Sequence, residues 1–566
     1  MMTRLFGNKV QNNVPWGTVA ENGVGKFKDI NQAALGELKS MGFTHVWYTG
    51  VLEHALLTDY TANGIPLDDA DVVKGRAGSP YAIKDYYDIN PDLATDVDNR
   101  MAEFNDLVRR SHDNGLKVLI DFVPNHVARS YHSDAKPDGV KDLGEDDDLQ
   151  KAFDPNNNFY YITGEAFQVP EGYNSLGDNE HPTKDGKFDE MPAKVTGNNV
   201  FSASPSVNDW FETVKLNYGI DYQNGEQTHF DPVPDTWKKM TDILRYWAGK
   251  GIDGFRCDMA EMVPKEFWAY AIDQVNAQFP DVVFVAEIYN PNAYRDYINA
   301  GFDFLYDKVE LYDTLKSIIR NGATTDHLTQ IWQRQEGISD NMLTFLENHD
   351  EQRIPSPDFA GDPWKAIPSM ILSATMHRGA VMIYFGQEVG EPGLGAEGFS
   401  GPDSRTTIFD YWGVPEHQKW MNNGQFDGGQ LSDDQVRLRG FYKEILKLCN
   451  ESDAIRTGEF FDLHYYNRNG EFQGYSDKVY AYLRYAPSET LLFVLNFGDQ
   501  AASCNVKIPK LAFDMMEMPQ DSVTIEDFYN WNKKQVFTSE QIQLYGNGDG
   551  LRLEVFPNSY QILKIR

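Results

Sequence analysis

Four segments of the chain each run from an apolar stretch into a group of charged and polar side chains. An apolar run is typical of a buried parallel strand, and the chemistry of a parallel barrel lies where its strands end. The four segments are residues 117–126, 252–258, 282–287 and 343–350. The side chains at their ends are Asp258, Glu287, Asp350, Arg256, His126 and His349. Carboxyl groups paired in this way are what the cleavage of a glycosidic bond requires.

The composition is that of a large enzyme with an acidic surface. The 566 residues exceed what one hydrophobic core usually holds, so we expect two or three domains. Fifty-one basic residues stand against 85 acidic ones, which gives a net charge of −34. This charge argues against nucleic acid or an anionic membrane as a partner and favours a neutral substrate.

Cysteine usage and apolar runs exclude several other classes. Cys257, Cys449 and Cys504 cannot build a disulfide framework, and their spacing is not that of a zinc site. No apolar run reaches 18 residues, so we expect no membrane span. The first residues contain no apolar h-region. The expected compartment is therefore the cytoplasm, or the periplasm or exterior if a signal peptide has been removed.

Strand-like and helix-like segments alternate along most of the chain, which indicates a parallel α/β architecture. Amphipathic helices are predicted at 29–41, 98–114 and 235–250, each of them ending at or next to a glycine. Eight strands with intervening helices make a (β/α)8 TIM barrel. The eight predicted strands are residues 13–20, 43–49, 117–122, 252–256, 282–286, 302–306, 342–346 and 381–385.

Two regions depart from this alternation. More than 100 residues separate the third strand from the fourth, which predicts an inserted domain at 127–230. After a last barrel helix at 441–448, four strands broken by turns follow, with no helix pattern between them. The predicted division is a barrel of residues 1–126 plus 231–450, the insertion, and an antiparallel β domain at 451–566. The four C-terminal strands are residues 479–485, 490–496, 551–556 and 560–565.

The four segments, in this order and with all three acids, closely resemble the four sequence regions of the α-amylase family, glycoside hydrolase family 13. The resemblance implies the same barrel, an inserted domain B after the third strand, and a C-terminal antiparallel β-sandwich. It also implies a retaining mechanism, in which one carboxylate attacks the sugar and a second carboxyl group transfers the proton.

The resemblance assigns a role to each acid. Asp258 matches the nucleophile, and Arg256 lies two residues earlier, on the same side of the strand. Glu287 matches the general acid and base, and the apolar residues before it would desolvate its carboxyl group. Asp350 matches the third acid, which grips the sugar hydroxyls at subsite −1 and supports the transition state.

Further residues match substrate-binding positions of the family. His126 and His349 match the two histidines that bind the same sugar, where neutral imidazoles both donate and accept hydrogen bonds. Tyr81 matches the aromatic residue that stacks under the ring. Arg353 lies where many relatives have an arginine that binds substrate or orients an acid. Other aromatic residues, such as Trp47 and Tyr289, are expected to pack in the core.

The resemblance raises the question of calcium and implies no organic cofactor. Asn125 matches a ligand of the structural Ca²⁺ of many α-amylases, but the remaining ligands are not clearly reproduced. The acidic stretch 144–148 is more typical of a solvated surface. The chemistry therefore needs no cofactor, a structural Ca²⁺ stays open, and no metal ligands are assigned.

A fifth short region suggests a subgroup. Residues 215–217, Lys-Leu-Asn, look like part of the motif of neopullulanases, cyclomaltodextrinases and maltogenic amylases. True α-amylases usually have aspartate where Lys215 stands. The chain departs from the subgroup in that its barrel begins almost at once, without the subgroup's N-terminal β domain.

The expected function is retaining hydrolysis of α-1,4-glucosidic bonds in maltooligosaccharides, cyclomaltodextrins or starch. A transglycosylase would use the same residues, with an acceptor sugar in place of water. A glycan-binding relative without activity is the third alternative, but such relatives lack one or more of the acids. The oligomeric state and the preferred chain length stay open.

Overall fold

The computed structural model describes residues 1–468, 475–529, 534–544 and 548–566. The chain forms two compact units. The first unit comprises residues 1–305 and 394–431, and the second comprises residues 306–393 and 432–566. The domain boundaries predicted at residues 126, 230 and 450 stay predictions.

The first unit is built on parallel strands that pair in chain order. The middle strands bury nearly all of their side chains, as expected for parallel strands that are covered on both faces. Four predicted strands, at 43–49, 117–122, 252–256 and 282–286, are thereby confirmed with small shifts at their ends. The order is His45–Tyr48, Lys117–Phe122, Gly254–Cys257, Val283–Ala286 and Phe304–Tyr306.

The strand predicted at 13–20 is wrong. The Thr18 side chain accepts a hydrogen bond from the Glu21 N–H, and the Glu21 carboxylate accepts one from the Thr18 N–H. This reciprocal pair is a capping box, and it starts the short helix Val19–Asn22 instead of extending a strand. Met2 takes the place beside His45–Tyr48, through a single parallel bridge to Thr49.

Helices of the first unit follow the predicted pattern. Gln32–Met41 begins where the Asn31 side chain accepts hydrogen bonds from two backbone N–H groups, and it ends at Gly42, whose φ of 106° few other residues adopt. The three predicted helices are confirmed with trimmed ends. The helices are Thr3–Phe6, Val19–Asn22, Gln32–Met41, Arg100–Asp113, Asp235–Gly249, Lys265–Asn276, Tyr294–Asn299 and Pro415–Met421.

The first unit also contains short antiparallel pairs of strands. The inserted segment has its own small core, formed with Val72 by Phe167, Ala193, Ala203 and Phe211. The sequence did not predict the pair that lies before it, Leu52–His54 with Ile83–Ile89. The pairs of the inserted segment are His126–Ala128 with Thr213–Lys215, Tyr161–Ile162 with Ala193–Lys194, and Ile220–Asp221 with Gln227–Thr228.

The second unit contains two further parallel strands, Met342–Phe345 and Val381–Met382. The Asp307 N–H, just after Phe304–Tyr306, donates to the carbonyl of Leu343 at 2.9 Å. The predicted strands at 302–306, 342–346 and 381–385 are thus confirmed, the last in shortened form. The helices of this part are the π-helical Lys308–Tyr312, Asp313–Asn321, Asp326–Arg334, Ile367–Thr375, Asp433–Glu451 and Asp453–Arg456.

The C-terminal part of the second unit is an antiparallel β-sandwich, as predicted. One sheet has the order Glu459–Asp462, Val479–Ala486, Glu489–Asn496, Ser559–Ile565, Ser522–Asp527 and Lys534–Thr538. The other sheet pairs Ala502–Val506 with Leu551–Val555, and residues of both sheets share one core. The expectation of no helix between the four predicted strands was wrong, since Lys510–Met515 and Ser539–Ile542 are short helices. A further short helix, His464–Arg468, precedes these strands. Among the described residues, no helix has the length and apolar character needed to cross a membrane.

Candidate active site

Two of the predicted acids directly follow neighbouring strands of the first unit. The Asp258 N–H donates to the carbonyl of Phe122 at 2.9 Å, and the Glu287 N–H donates to the carbonyl of Cys257 at 3.1 Å. The parallel hydrogen-bond ladder therefore extends one residue beyond each strand and fixes both backbones. Asp258 and Glu287 are 5% and 2% exposed, so their carboxyl groups meet little solvent.

The Arg256 guanidinium joins these two acids. Its Nη1 lies 2.7 Å from Asp258 Oδ1, and its Nη2 lies 2.7 Å from Glu287 Oε2. Alternation along the strand places Arg256 and Asp258 on the same face, as the sequence predicted. The guanidinium therefore bridges the two carboxyl groups. The cation also stabilises negative charge on either carboxylate.

Glu287 has different partners on its two oxygens. In addition to Arg256, Oε2 accepts the Met259 N–H at 2.8 Å, while Oε1 accepts the Tyr289 hydroxyl at 2.6 Å. Met259 has a φ of 43°, a left-handed conformation that is costly for a residue with a side chain and that occurs at functional sites. Since Oε2 receives a cation and a backbone donor, Oε1 is the oxygen suited to carry a transferable proton.

Replacing Tyr289 with phenylalanine should test this assignment. We expect kcat on maltooligosaccharides to fall about tenfold, since one hydrogen bond to a charged group is worth roughly 1.4 kcal/mol or more. KM should stay within about twofold, because Tyr289 acts here through Glu287. Tyr297→Phe is the matched control, since the Tyr297 hydroxyl donates only to backbone carbonyls among its observed hydrogen bonds. Equal kinetics for the two variants would show that Tyr289 does not position Glu287.

Aromatic rings and a further acid surround the guanidinium. The Arg256 Cζ lies 5.2 Å from the ring centroid of Tyr81 and 5.3 Å from that of Trp47. Asp121 Oδ1 is 3.7 Å from Arg256 Nη1, and it accepts the Tyr81 hydroxyl at 3.5 Å. The structure thus places Tyr81 beside Arg256, the residue that contacts the two acids.

Sequence reasoning missed four residues of this cluster. Trp47 and Tyr289 were expected to pack in the core, but they contact Arg256 and Glu287 respectively. Asp121 had a signal, since it is a charged residue inside the otherwise apolar run 118–122. Met259 had none, because its contribution comes from backbone conformation and not from its side chain.

His126 is a buried, neutral imidazole. Burial lowers its pKa to about 3, and the nearby charges, Glu212 among them, do not reverse this shift. The Asn125 amide donates to His126 Nδ1 at 3.0 Å, which leaves the ring proton on Nε2. The His126 ring also packs edge-on against Trp210, with centroids 5.3 Å apart. This state suits hydroxyl recognition, as the sequence suggested.

The third acid belongs to the second unit. Asp350 follows Met342–Phe345, and its N–H donates to Asn348 Oδ1 at 2.8 Å. His349 Nε2 lies 3.0 Å from Asp350 Oδ2, so this histidine holds the carboxylate in place. The Asp350 side chain is 36% exposed, whereas that of His349 is 1% exposed. Asp350 is therefore the more accessible of the two to a ligand.

Arg353 is not accessible to a bound sugar. Its side chain is fully buried, and its Nη1 donates to Glu347 Oε2 at 2.9 Å and to the carbonyl of Phe385 at 2.8 Å. Its Cζ lies 4.3 Å from the ring centroid of Tyr384. Glu347 also accepts the Ile354 N–H at 2.6 Å. Arg353 therefore stabilises the 347–354 segment that carries Asp350, and it does not reach solvent to bind a sugar.

The residues around Asn125 do not fit a Ca²⁺ ion. Asn125 Oδ1, the oxygen that would bind the metal, accepts a hydrogen bond from the Lys215 ammonium. Lys215 is 2% exposed and also donates to the carbonyl of Met262 at 3.1 Å. Burial lowers the pKa of Lys215 to about 7, and the two oxygen acceptors favour its charged form. A protein cation thus lies where the family ligand would hold a metal.

The stretch 144–148 also directs its carboxylates to protein groups. Asp147 accepts the N–H groups of Asn158 and Phe159, while Asp146 and Asp148 form ion pairs with lysines.

Lys215→Met should destabilise the protein. The change keeps an unbranched stem but leaves the buried Asn125 Oδ1 and Met262 carbonyl without this donor. We expect the free energy of unfolding to fall by about 1–3 kcal/mol, measured by chemical denaturation. Lys238→Met is the control, because Lys238 is exposed. An unchanged unfolding curve for Lys215→Met would contradict a structural role for the ammonium.

Comparison with known proteins settles the family. Residues 17–437, about three quarters of the chain, match the model of the α-amylase catalytic domain. The chain belongs to the α-amylase family. It is therefore a glycoside hydrolase by family, and the barrel, inserted segment and C-terminal sandwich are the architecture expected of a member.

The sequence identity between this chain and individual relatives is low. α-Amylase 3 of Dictyoglomus thermophilum is 23% identical over 67% of this chain and 68% of the relative. Cyclomaltodextrinase of Thermoanaerobacter pseudethanolicus is 21% identical over 74% of this chain and 57% of the relative. Cyclomaltodextrin glucanotransferase of Geobacillus stearothermophilus is 24% identical over 63% of this chain and 43% of the relative. The chain thus spans only about half the length of the last two.

A solved structure supports the fold across the whole chain. The α-amylase of Geobacillus thermoleovorans, solved with acarbose, has a TM-score of 0.59 at 19% identity. The similarity covers 100% of this chain and 99% of that one. The predicted fold class is thereby confirmed.

Proposed function

We propose that this protein is a retaining hydrolase of α-1,4-glucosidic bonds in maltooligosaccharides, cyclomaltodextrins or starch. The observation that carries the proposal is the single Arg256 guanidinium in contact with both Asp258 and Glu287. Retaining enzymes need their two carboxyl groups about 5–5.5 Å apart, and a guanidinium that bridges both acids is compatible with this spacing. Family relatives named as amylases and as a cyclomaltodextrinase support an α-glucan substrate.

In the first step, Asp258 attacks the anomeric carbon and a new C–O bond forms. The bond from that carbon to the leaving sugar oxygen breaks, and Glu287 transfers its proton from Oε1 to that oxygen. Arg256 favours the ionised nucleophile, while Tyr289 holds the proton-carrying side of Glu287 in place. The product of this step is a β-glucosyl ester of Asp258.

In the second step, Glu287 is the base. Its Oε1 takes a proton from water, the water oxygen bonds to the anomeric carbon, and the ester bond to Asp258 breaks. Two inversions give a product with the original α configuration. By resemblance, we assign Tyr81 to stacking under the sugar, and Asp350, His349 and His126 to its hydroxyl groups. No step of this scheme needs a cofactor.

A product time course tests the proposal. Maltoheptaose, β-cyclodextrin, pullulan and soluble starch are supplied separately, and products are followed by chromatography and by NMR of the newly formed reducing end. We expect shorter α-glucans whose new ends first appear as the α-anomer. Initial release of the β-anomer would rule out retention. Products longer than the maltoheptaose supplied would identify a transglycosylase instead.

The same time course tests the subgroup suggested by Lys215-Leu-Asn217. Faster cleavage of cyclodextrin than of starch would place the enzyme functionally with cyclomaltodextrinases. Preference for starch with mixed oligosaccharide products would identify an α-amylase with an unusual fifth region.

A further inference from the structure

Three carboxylates converge away from the two acids joined by Arg256. Glu53, Asp88 and Asp134 each have a carboxylate oxygen that lies within 4.8 Å of those of the other two. Glu53 and Asp88 come from the antiparallel pair Leu52–His54 and Ile83–Ile89, whereas Asp134 comes from the inserted segment. The Asp134 N–H donates to Asp85 Oδ2 at 2.9 Å, which anchors the inserted segment beside the pair.

Glu53 has an enclosed carboxylate oxygen without a hydrogen bond. The residue is 3% exposed, and its Oε2 accepts no hydrogen bond from any group in the part of the chain that the structure describes. Lys84 Nζ lies 3.9 Å from the other oxygen, Oε1, beyond hydrogen-bond distance. Lys84 donates instead to the carbonyl of Pro66 at 2.7 Å and to Asp68 at 3.2 Å. A buried carboxylate in this state is strongly unfavourable unless something compensates it.

The surrounding charges do not supply that compensation. Arg100 is bound to both oxygens of Asp88 and to the carbonyl of Val97. Five acids face the two cations Lys84 and Arg100, so the group is short of positive charge. The five acids are Glu53, Asp68, Asp85, Asp88 and Asp134.

We propose that Glu53, Asp88 and Asp134 bind a divalent cation, with Ca²⁺ as the preferred ion. Ca²⁺ takes only oxygen ligands at 2.3–2.6 Å, so two oxygens on one ion lie at most about 5 Å apart, which the observed spacing satisfies. Asp134 is exposed, so the ion can enter and keep water ligands on that side. The site is distinct from Asn125 and does not depend on the proposed function. It would tie the inserted segment to the pair Leu52–His54 and Ile83–Ile89.

Calcium titration of the full chain tests this site. The protein is stripped with EGTA, dialysed and titrated with CaCl₂ by calorimetry, and its thermal midpoint is measured with and without Ca²⁺. We expect one Ca²⁺ per chain and a higher midpoint in its presence. Asp134→Asn and Glu53→Gln should each weaken binding at least about tenfold. Asp138→Asn removes the same charge from an exposed position four residues away and should bind like the wild type.

Two results would overturn the proposal. Absence of binding by the wild type at millimolar Ca²⁺ would show that a proton compensates Glu53. Binding that neither Asp134→Asn nor Glu53→Gln changes would place the ion elsewhere. Asp134 is exposed, so Asp134→Asn remains informative even if Glu53→Gln fails to fold.

Discussion

Asp258→Asn should lower kcat on maltooligosaccharides by about 10³-fold or more and leave the thermal midpoint almost unchanged. The amide keeps the size and planarity of the side chain, and its oxygen still accepts the hydrogen bond from Arg256. An uncharged amide cannot attack the anomeric carbon, so the covalent route is lost. The measurement is steady-state hydrolysis of maltoheptaose together with a melting curve.

Asp281→Asn is the control for this change. Asp281 is an exposed acid in the segment that connects the strands Gly254–Cys257 and Val283–Ala286. Its replacement should leave kcat unaltered. Activity of Asp258→Asn close to that of the wild type would end the assignment of the nucleophile. A collapse of the melting curve would mean that Asp258 serves mainly to neutralise Arg256.

Glu287→Gln should have an effect that depends on the leaving group. With maltooligosaccharides, kcat should fall about 10³-fold or more, since the departing sugar oxygen needs a proton. With α-maltosyl fluoride, the first step should stay fast because fluoride leaves without protonation. The second step still lacks a base, so a burst of fluoride followed by slow turnover is expected.

The control for Glu287→Gln is Glu266→Gln, which changes an exposed glutamate on Lys265–Asn276. It should behave like the wild type on both substrates. Equal losses of Glu287→Gln on maltoheptaose and on the fluoride, without a burst, would contradict a proton-transfer role for Glu287.

The sequence predicted the parallel strands well because their buried faces leave nearly uninterrupted apolar runs. It failed at 13–20, where the reciprocal bonds of Thr18 and Glu21 start a helix. The pair Leu52–His54 and Ile83–Ile89 was missed for a related reason. Its strands bury Glu53, Lys84, Asp85 and Asp88, and buried charges erase the alternation that marks a strand.

In the site too, positions set by a nearby strand were predictable, whereas contacts between residues far apart in the sequence were not. Asp258 and Glu287 were predictable because each directly follows a strand, and the spacing of Arg256 placed it beside Asp258. The bond from Lys215 to Asn125 joins residues 90 positions apart and was not readable from either segment. An aromatic residue such as Tyr289 is as typical of a core position as of a site position. Only its hydrogen bond to Glu287 shows that it belongs to the site.

The central claim is that Asp258 forms a covalent bond with the sugar while Glu287 transfers the proton. The most direct test incubates Glu287→Gln with α-maltosyl fluoride, quenches the reaction with acid, and locates the added mass by peptide mass spectrometry. We predict one maltosyl group, attached to Asp258, and none in the double variant that also carries Asp258→Asn. A label on another residue, or fluoride release with no labelled peptide, would contradict the account.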